Sequence, residues 1–284
     1  MRSTPDGRPV LRVLTFNVLA PANPDWERRS GLLTAAVREL APDVAAFQEV
    51  PVGGDCAWVR SLVGDGFDLA VHRDPDEHGG GAVLACRWPL RNVEHVEQAV
   101  TARASGLPWL ESVIADVDTP LGELTVAHHK PSWQFPFEAE RVLQAVRLTE
   151  ALKRRRQTDA TVVLGDFDAT PDSASVRYLR GREPVDGHSV YFQDCWETVH
   201  GPEPGHTFSS LNPLVRDGEV ATALSRRIDY ILVSGGDHGP RLEVLDCHRV
   251  LDAAVDGVWA SDHFGVSADL ALPRHLPGTW RRPG

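Results

Sequence analysis

Residues 161–168 read TVVLGDFD, an apolar run that reaches a turn through Gly165 and ends in two carboxylates, Asp166 and Asp168. A short run apolar on both faces is what a strand buried inside a layered domain requires. A charge at the end of such a strand is costly to bury alone and must find a partner. The same arrangement recurs along the chain: VLRVLTF (10–16) stops at Asn17, DVAAFQEV (43–50) carries Glu49, and RIDYILV (227–233) carries Asp229. Further strands are expected at AVLAC (82–86), SVIADV (112–117), ELTVAH (123–128) and DHFGVSADLAL (262–272), where Phe264, Val266, Ala268 and Leu270 alternate after Asp262 and His263.

Helical periodicity fills the intervals. Leu33, Ala36, Val37 and Leu40 follow the i, i+3, i+4, i+7 spacing and stop before Pro42, and Val142, Ala145, Val146 and Leu152 mark a second amphipathic helix. That helix ends in Lys153, Arg154, Arg155 and Arg156, which complement its dipole or offer a nucleic-acid patch. Strands alternating with helices predict an α/β (α+β) domain. With 284 residues and no linker-like shift in composition, the expectation is one domain over 1–284 with its core at about 10–272.

Composition narrows the function. There are 29 basic and 40 acidic residues, a formal charge of −11, and only Lys130 and Lys153 are lysines. That balance disfavours gripping duplex DNA through the whole surface, while leaving room for a local phosphate site built around a metal ion. Cys56, Cys86, Cys195 and Cys247 lack zinc or disulfide spacing. No apolar stretch has the length of a signal peptide or a membrane span, so a cytoplasmic protein without membrane contact is expected. Asn17, Glu49, Asp166, Asp168, Asp229, Asp262 and His263 at strand ends suit a hard cation such as Mg²⁺ or Mn²⁺. Spacing alone equally describes unrelated turn residues.

In chain order, LTFNVLA, AAFQEV, AHHK, LGDFDATPDS, RIDYILV and WASDHFGV resemble the motifs of the endonuclease/exonuclease/phosphatase superfamily, the DNase I-like fold. The resemblance implies a four-layer αββα sandwich of two facing mixed β-sheets flanked by helices, with the site in a cleft at one end. It implies a metal held by Glu49, Asn17 and Asp262, with Asn17 near the phosphate. Asp166 would activate the attacking water, His263 would contact the scissile phosphate, and Asp229 would fix the tautomer of His263. Of the adjacent His128 and His129, motif position favours His129 as the one facing the cleft. His128, Lys130, Trp133 and His206 complete the expected substrate-binding set.

The resemblance expects Asn where this chain has Asp168. An ionised Asp cannot donate a hydrogen bond, so Asp168 binds a second cation, stays protonated beside Asp166, signals altered chemistry or supports the following turn. On this reading Asp168→Asn keeps or raises activity. Trp133, Phe135 and Phe137, in the loop after His129, form an aromatic wall for a ligand or ordinary loop packing; residues 205–219 supply His206 and Arg216 to the cleft or only connect elements.

The implied activity is hydrolysis of a phosphodiester, in a small molecule or single-stranded nucleic acid, with no obligate protein partner. The alternatives are a phosphomonoesterase on a sugar, inositol or nucleotide phosphate, a catalytically silent binding module, and a specialised biosynthetic enzyme that kept the groove.

Overall fold

The computed structural model describes residues 2–73, 75–275 and 277–279. The elements of the first half are β1 (Arg2–Ser3), β2 (Pro9–Asn17), α1 (Trp26–Leu40), β3 (Val44–Pro51), α2 (Gly53–Val63), β4 (Asp68–Val71), β5 (Gly80–Cys86), β6 (Arg91–Glu97), β7 (Glu111–Thr119), β8 (Gly122–Lys130) and α3 (Glu138–Arg154). The second half adds β9 (Ala160–Asp166), α4 (Ala174–Leu179), β10 (Phe192–Asp194), α5 (Cys195–His200), α6 (Pro213–Arg216), β11 (Asp229–Gly236), β12 (Gly239–Pro240), β13 (Glu243–Val250) and β14 (Gly265–Ala271).

Two seven-stranded sheets result. One has the order β13-β14-β2-β3-β5-β4 with β1 beside β2; the other has β10-β11-β9-β8-β7-β6 with β12 beside β11. Each is mixed, because β2 and β3 in the first and β8 and β9 in the second run parallel. A parallel pair needs a crossover, and α1 and α3 supply the two. Side chains alternate across each strand. Val13, Val44, Leu84, Val126, Leu164 and Ile231 therefore meet between the sheets. On the outer faces, Phe16 and Phe47 pack with Leu33 and Val59 of α1 and α2, while Ala127 and Val163 pack with Leu148 and Val176 of α3 and α4.

The elements read from sequence are all present, and the sandwich has the expected four layers. Strands β1, β4, β6, β10, β12 and β13 and helices α2, α5 and α6 are additions, short or partly exposed and so without clean periodicity. The basic end of α3 is spent on the fold: Arg154 and Arg155 pair with Glu94, Arg155 with Asp116 and Arg156 with Glu123. All four cysteines are buried and free. Among the described residues no helix is long and apolar enough to cross a membrane.

Topology collects the polar strand ends. The parallel pairs finish at Asn17, Glu49, Lys130 and Asp166, while antiparallel β11 and β14 begin at that same end, beside Asp229 and His263.

Candidate active site

Register places Asp229 of β11 directly opposite Asp166 of β9. Position 165 must be glycine: its φ is 152° and a Cβ would overlap the carbonyl oxygen of His129 on β8. Glu49 sits at a β-bulge, at φ 60°, where the pairing of β3 with β5 shifts between Gln48 and Val50. Bulges re-aim side chains, and this one brings Glu49 within 2.8 Å of the Asn17 amide.

Asn17 Nδ2 donates to Glu49 Oε1 at 2.8 Å and to Asp166 Oδ2 at 3.1 Å, tying the two sheets together. Its oxygen accepts from the Leu19 N–H. Asn17 thus positions Glu49 and Asp166 through its amide group, while its oxygen, with one lone pair on Leu19, keeps a second for the expected metal. The Ala20 N–H holds the other Glu49 oxygen at 3.2 Å.

Asp229 Oδ2 lies 2.9 Å from His263 Nδ1. Ligand atoms of Asp166, Asp229 and His263 all fall within 4.8 Å of one another, a spacing that would admit an ion, although His263 already spends Nδ1 on Asp229. Burial alone would lower the His263 pKa, but Asp229, Asp166 and Asp262 together raise it well above its usual value, favouring the imidazolium. Burial pushes Asp229 up, with Asp166 adding to it.

Lys130 completes the cluster. Its Nζ donates to Asp166 Oδ2 at 2.7 Å and to Asp168 Oδ2 at 2.5 Å, Lys130 and Asp166 being buried and Asp168 partly so. Burial opposes ionisation of Asp166, yet Lys130 and His263 outweigh it and hold that carboxyl down. Burial and the neighbouring Asp166 push Asp168 up. Asp168 is thus the anionic partner of a buried ammonium, a contact that Asp168→Asn would make neutral.

The histidine pair also differs from expectation. Leu124 and Val126 face the inter-sheet core, so alternation places His128 and Lys130 on that side and His129 on the other. His129 turns toward α3, with Nδ1 2.7 Å from Ser112 Oγ and its ring edge-on to Phe167. Burial pushes it down to about 3, a neutral structural group. His128 is equally enclosed, its Nε2 2.7 Å from the Gln48 amide and its Nδ1 3.1 Å from His72, and burial keeps it neutral.

Of the remaining expected residues, Trp133 is exposed in the loop after β8 and His206 contributes its carbonyl, to Arg249. The 205–226 loop reaches the site through two other residues: Thr207 Oγ1 accepts from the Asp229 N–H at 3.2 Å, and the Phe208 ring packs 5.2 Å from His263. Ser261 Oγ donates to the Asn17 carbonyl and accepts from the His263 N–H, at 2.8 and 3.1 Å. Arg29 of α1 is fully buried and donates to the carbonyls of Val18, Leu19, Ala20 and Ala260, pinning the loop after Asn17. Its place on the stripe with Leu33 and Val37 was the available sequence signal.

Glu49, Asp166, Asp168, Asp229 and Asp262 thus converge. Burial raises Asp262, and the charge of Glu49 adds to that rise. Two partly buried carboxylates close enough for the charge of one to raise the other, with oxygen donors throughout, fit a hard divalent cation held by Glu49 and Asp262.

A family model described as Endonuclease/Exonuclease/phosphatase family matches residues 14–263. No curated protein matches the sequence. Similar solved structures include an endonuclease/exonuclease/phosphatase from Bacteroides vulgatus, with 19% identity, TM-score 0.70 and coverage of 94% of this chain and 100% of that one. TDP2 of D. rerio complexed with single strand DNA product is 18% identical, with TM-score 0.69 and coverage of 92% and 98%. The human Nocturnin catalytic domain with bound sulfate anion is 21% identical, with TM-score 0.67 and coverage of 94% and 96%. At these identities the structural likeness establishes a shared DNase I-like fold.

Proposed function

We propose that this chain, which belongs to the endonuclease/exonuclease/phosphatase family, is a divalent-metal-dependent phosphodiesterase acting on a small-molecule or single-stranded nucleic-acid substrate. The observation that carries the reading is the Asp229–His263 pair set against Asp166 across one strand ladder, with Asn17 joining Asp166 to Glu49. Glu49 and Asp262 would hold a Mg²⁺ or Mn²⁺ ion, which would supply positive charge to the phosphoryl and leaving-group oxygens.

The protein's own residues do the rest. Asp166, kept ionised by Lys130 and His263, is placed to accept a proton from water and aim it in line with the scissile bond. His263, kept cationic by Asp229, offers Nε2 to a phosphoryl oxygen as charge builds there. Asn17 and Ser261 fix the loops that carry these groups.

Support for a planar or single-stranded substrate comes from the loops beside the cleft. Phe208 lies against His263, Arg226 stands 5.3 Å over Phe208 and 4.5 Å over Phe135, and Phe135 is half exposed. This stacked series runs outward from the reacting end and suits a base or aryl group. The D. rerio TDP2 complex shows that one protein of this fold takes single-stranded DNA.

The test is turnover of bis(4-nitrophenyl) phosphate against 4-nitrophenyl phosphate with Mg²⁺ or Mn²⁺. The reading expects diester turnover that EDTA and His263→Ala each abolish. Turnover confined to the monoester makes the protein a phosphatase, and no turnover across a broad phosphate panel makes it a binding module.

A further inference from the structure

Within the site, Lys130 is a cation that cannot leave. Its ammonium is buried and stands 2.7 Å from Asp166 Oδ2 and 2.5 Å from Asp168 Oδ2, so both carboxylates point one oxygen at a single positive centre. The backbone enforces this convergence. Asp168 adopts a left-handed φ of 52°, uncommon for a residue with a side chain, and its N–H donates to Asp166 Oδ1 at 3.1 Å. Two carboxylate oxygens fixed around one point, one buried and one partly so, are a cation site by geometry and charge. Here the occupant is covalently attached to the end of β8. Asp168 and Lys130 also belong together in sequence logic: an acidic residue at 168 brings an extra negative charge beside Asp166, and one of the chain's two lysines is two positions beyond His128, on the face that meets it.

We propose that the Lys130 ammonium fills the position between Asp166 and Asp168 that would otherwise take up a second divalent ion, so that the site binds one exchangeable metal ion and carries one tethered cation. The inference rests on the metal-dependent reading above for the first ion only. Lys130 thereby fixes the positive charge next to the water-activating carboxylate independently of the metal concentration. Asp168 is a positioning residue that balances and aims the ammonium.

The experiment is calorimetric titration of the metal-free protein with Mn²⁺, for the natural chain, K130M, K130R and the double variant K130M/D168N. The expected stoichiometries are one ion for the natural chain and K130R, two for K130M, and one again for K130M/D168N, which lacks half of the opened site. One ion in both the natural chain and K130M overturns the proposal, as does a second ion in the natural chain. No ion in the natural chain with one in K130M supports the tethered cation and defeats the metal reading at Glu49 and Asp262; none in either defeats both. Should K130M be unfolded without metal, the proposal expects millimolar Mn²⁺ to restore its circular dichroism and melting transition, and failure to restore them overturns it.

Discussion

Replacing Asp229 by Asn isolates the charge that the His263 imidazole depends on. The amide oxygen can still accept from Nδ1–H, so ring orientation survives while the anion disappears. Asp229 Oδ2 lies 2.9 Å from His263 Nδ1, which puts the charge centres about 4 Å apart; at an effective dielectric of about 20 the lost attraction is ~4 kcal/mol, or about 3 pKa units. Burial then opposes the cation without its largest anionic counterweight, while Asp166 and Asp262 still favour it. The His263 titration is therefore expected to move down in the variant. Loss of a positioned, charged donor costs kcat about 10²–10⁴-fold. The fold loses less, about 1–3 kcal/mol, because the ring can shed its proton instead of remaining an unpaired buried charge. The assay pairs kcat on bis(4-nitrophenyl) phosphate with an NMR titration of the His263 ring and a thermal melt. A variant with kcat within about threefold of the natural protein and an unmoved His263 titration would refute the electrostatic reasoning.

Other expectations follow from the same geometry. Glu49→Gln weakens Mn²⁺ binding about 10–100-fold by calorimetry while leaving the melting temperature of the metal-free protein within a few degrees; unchanged affinity removes Glu49 from the metal site. Gly165→Ala destabilises the fold by about 3 kcal/mol or more in urea melts, since the new Cβ overlaps the His129 carbonyl and the φ of 152° is unfavourable for alanine. In metal-free protein, Asp168 and Asp262 are pushed up to about 6. The folded state then holds protons that the unfolded chain has released, so stability falls as pH rises from about 4 to about 6, by at most about 3 kcal/mol for each of the two groups. Saturating Mn²⁺ is expected to flatten that decline, and a melting temperature that rises over the same interval without metal contradicts the assignment.

The fold was legible because strands apolar on both faces, such as TVVLGD and VLRVLTF, leave no solvent-exposed alternative and end where a polar residue meets a turn. Edge strands were not. RNVEHVE of β6 and EVLDCHRV of β13 expose much of their length and mix polar with apolar residues, so nothing in them announces pairing. Strand ends alone left the convergence of Glu49, Asp166, Asp229 and His263 open, and the ordered motif series, through its family resemblance, implied it. The orientation of His129 was missed, because motif position was set above alternation, although Leu124 and Val126 already assign His128 and Lys130 to the inter-sheet face. Thr207 and Ser261 were beyond reach for a different reason. Their hydroxyls act on backbone groups of Asp229, Asn17 and His263 that only the folded loops bring near.

Charge balance connects the site to its choice of substrate. Five carboxylates, Glu49, Asp166, Asp168, Asp229 and Asp262, face two hydrogen-bonded cations, Lys130 and His263. Arg29 acts on Asp262 and Glu49 at longer range while its donors serve backbone carbonyls. The formal excess is therefore two to three negative charges in a largely buried setting, more than such a site sustains uncompensated. A divalent ion brings it close to neutrality, with the tethered ammonium, already in that balance, standing where a second ion would otherwise be drawn in. A phosphodiester then enters with one negative charge and a phosphomonoester near neutral pH with up to two. With no second metal ion to absorb the difference, the monoester meets more repulsion from Asp166 and Asp168. The preference for the diester is accordingly expected to shrink in K130M at saturating Mn²⁺, where two ions replace one ion and one ammonium. A preference that instead widens would show that the ammonium is not what sets it.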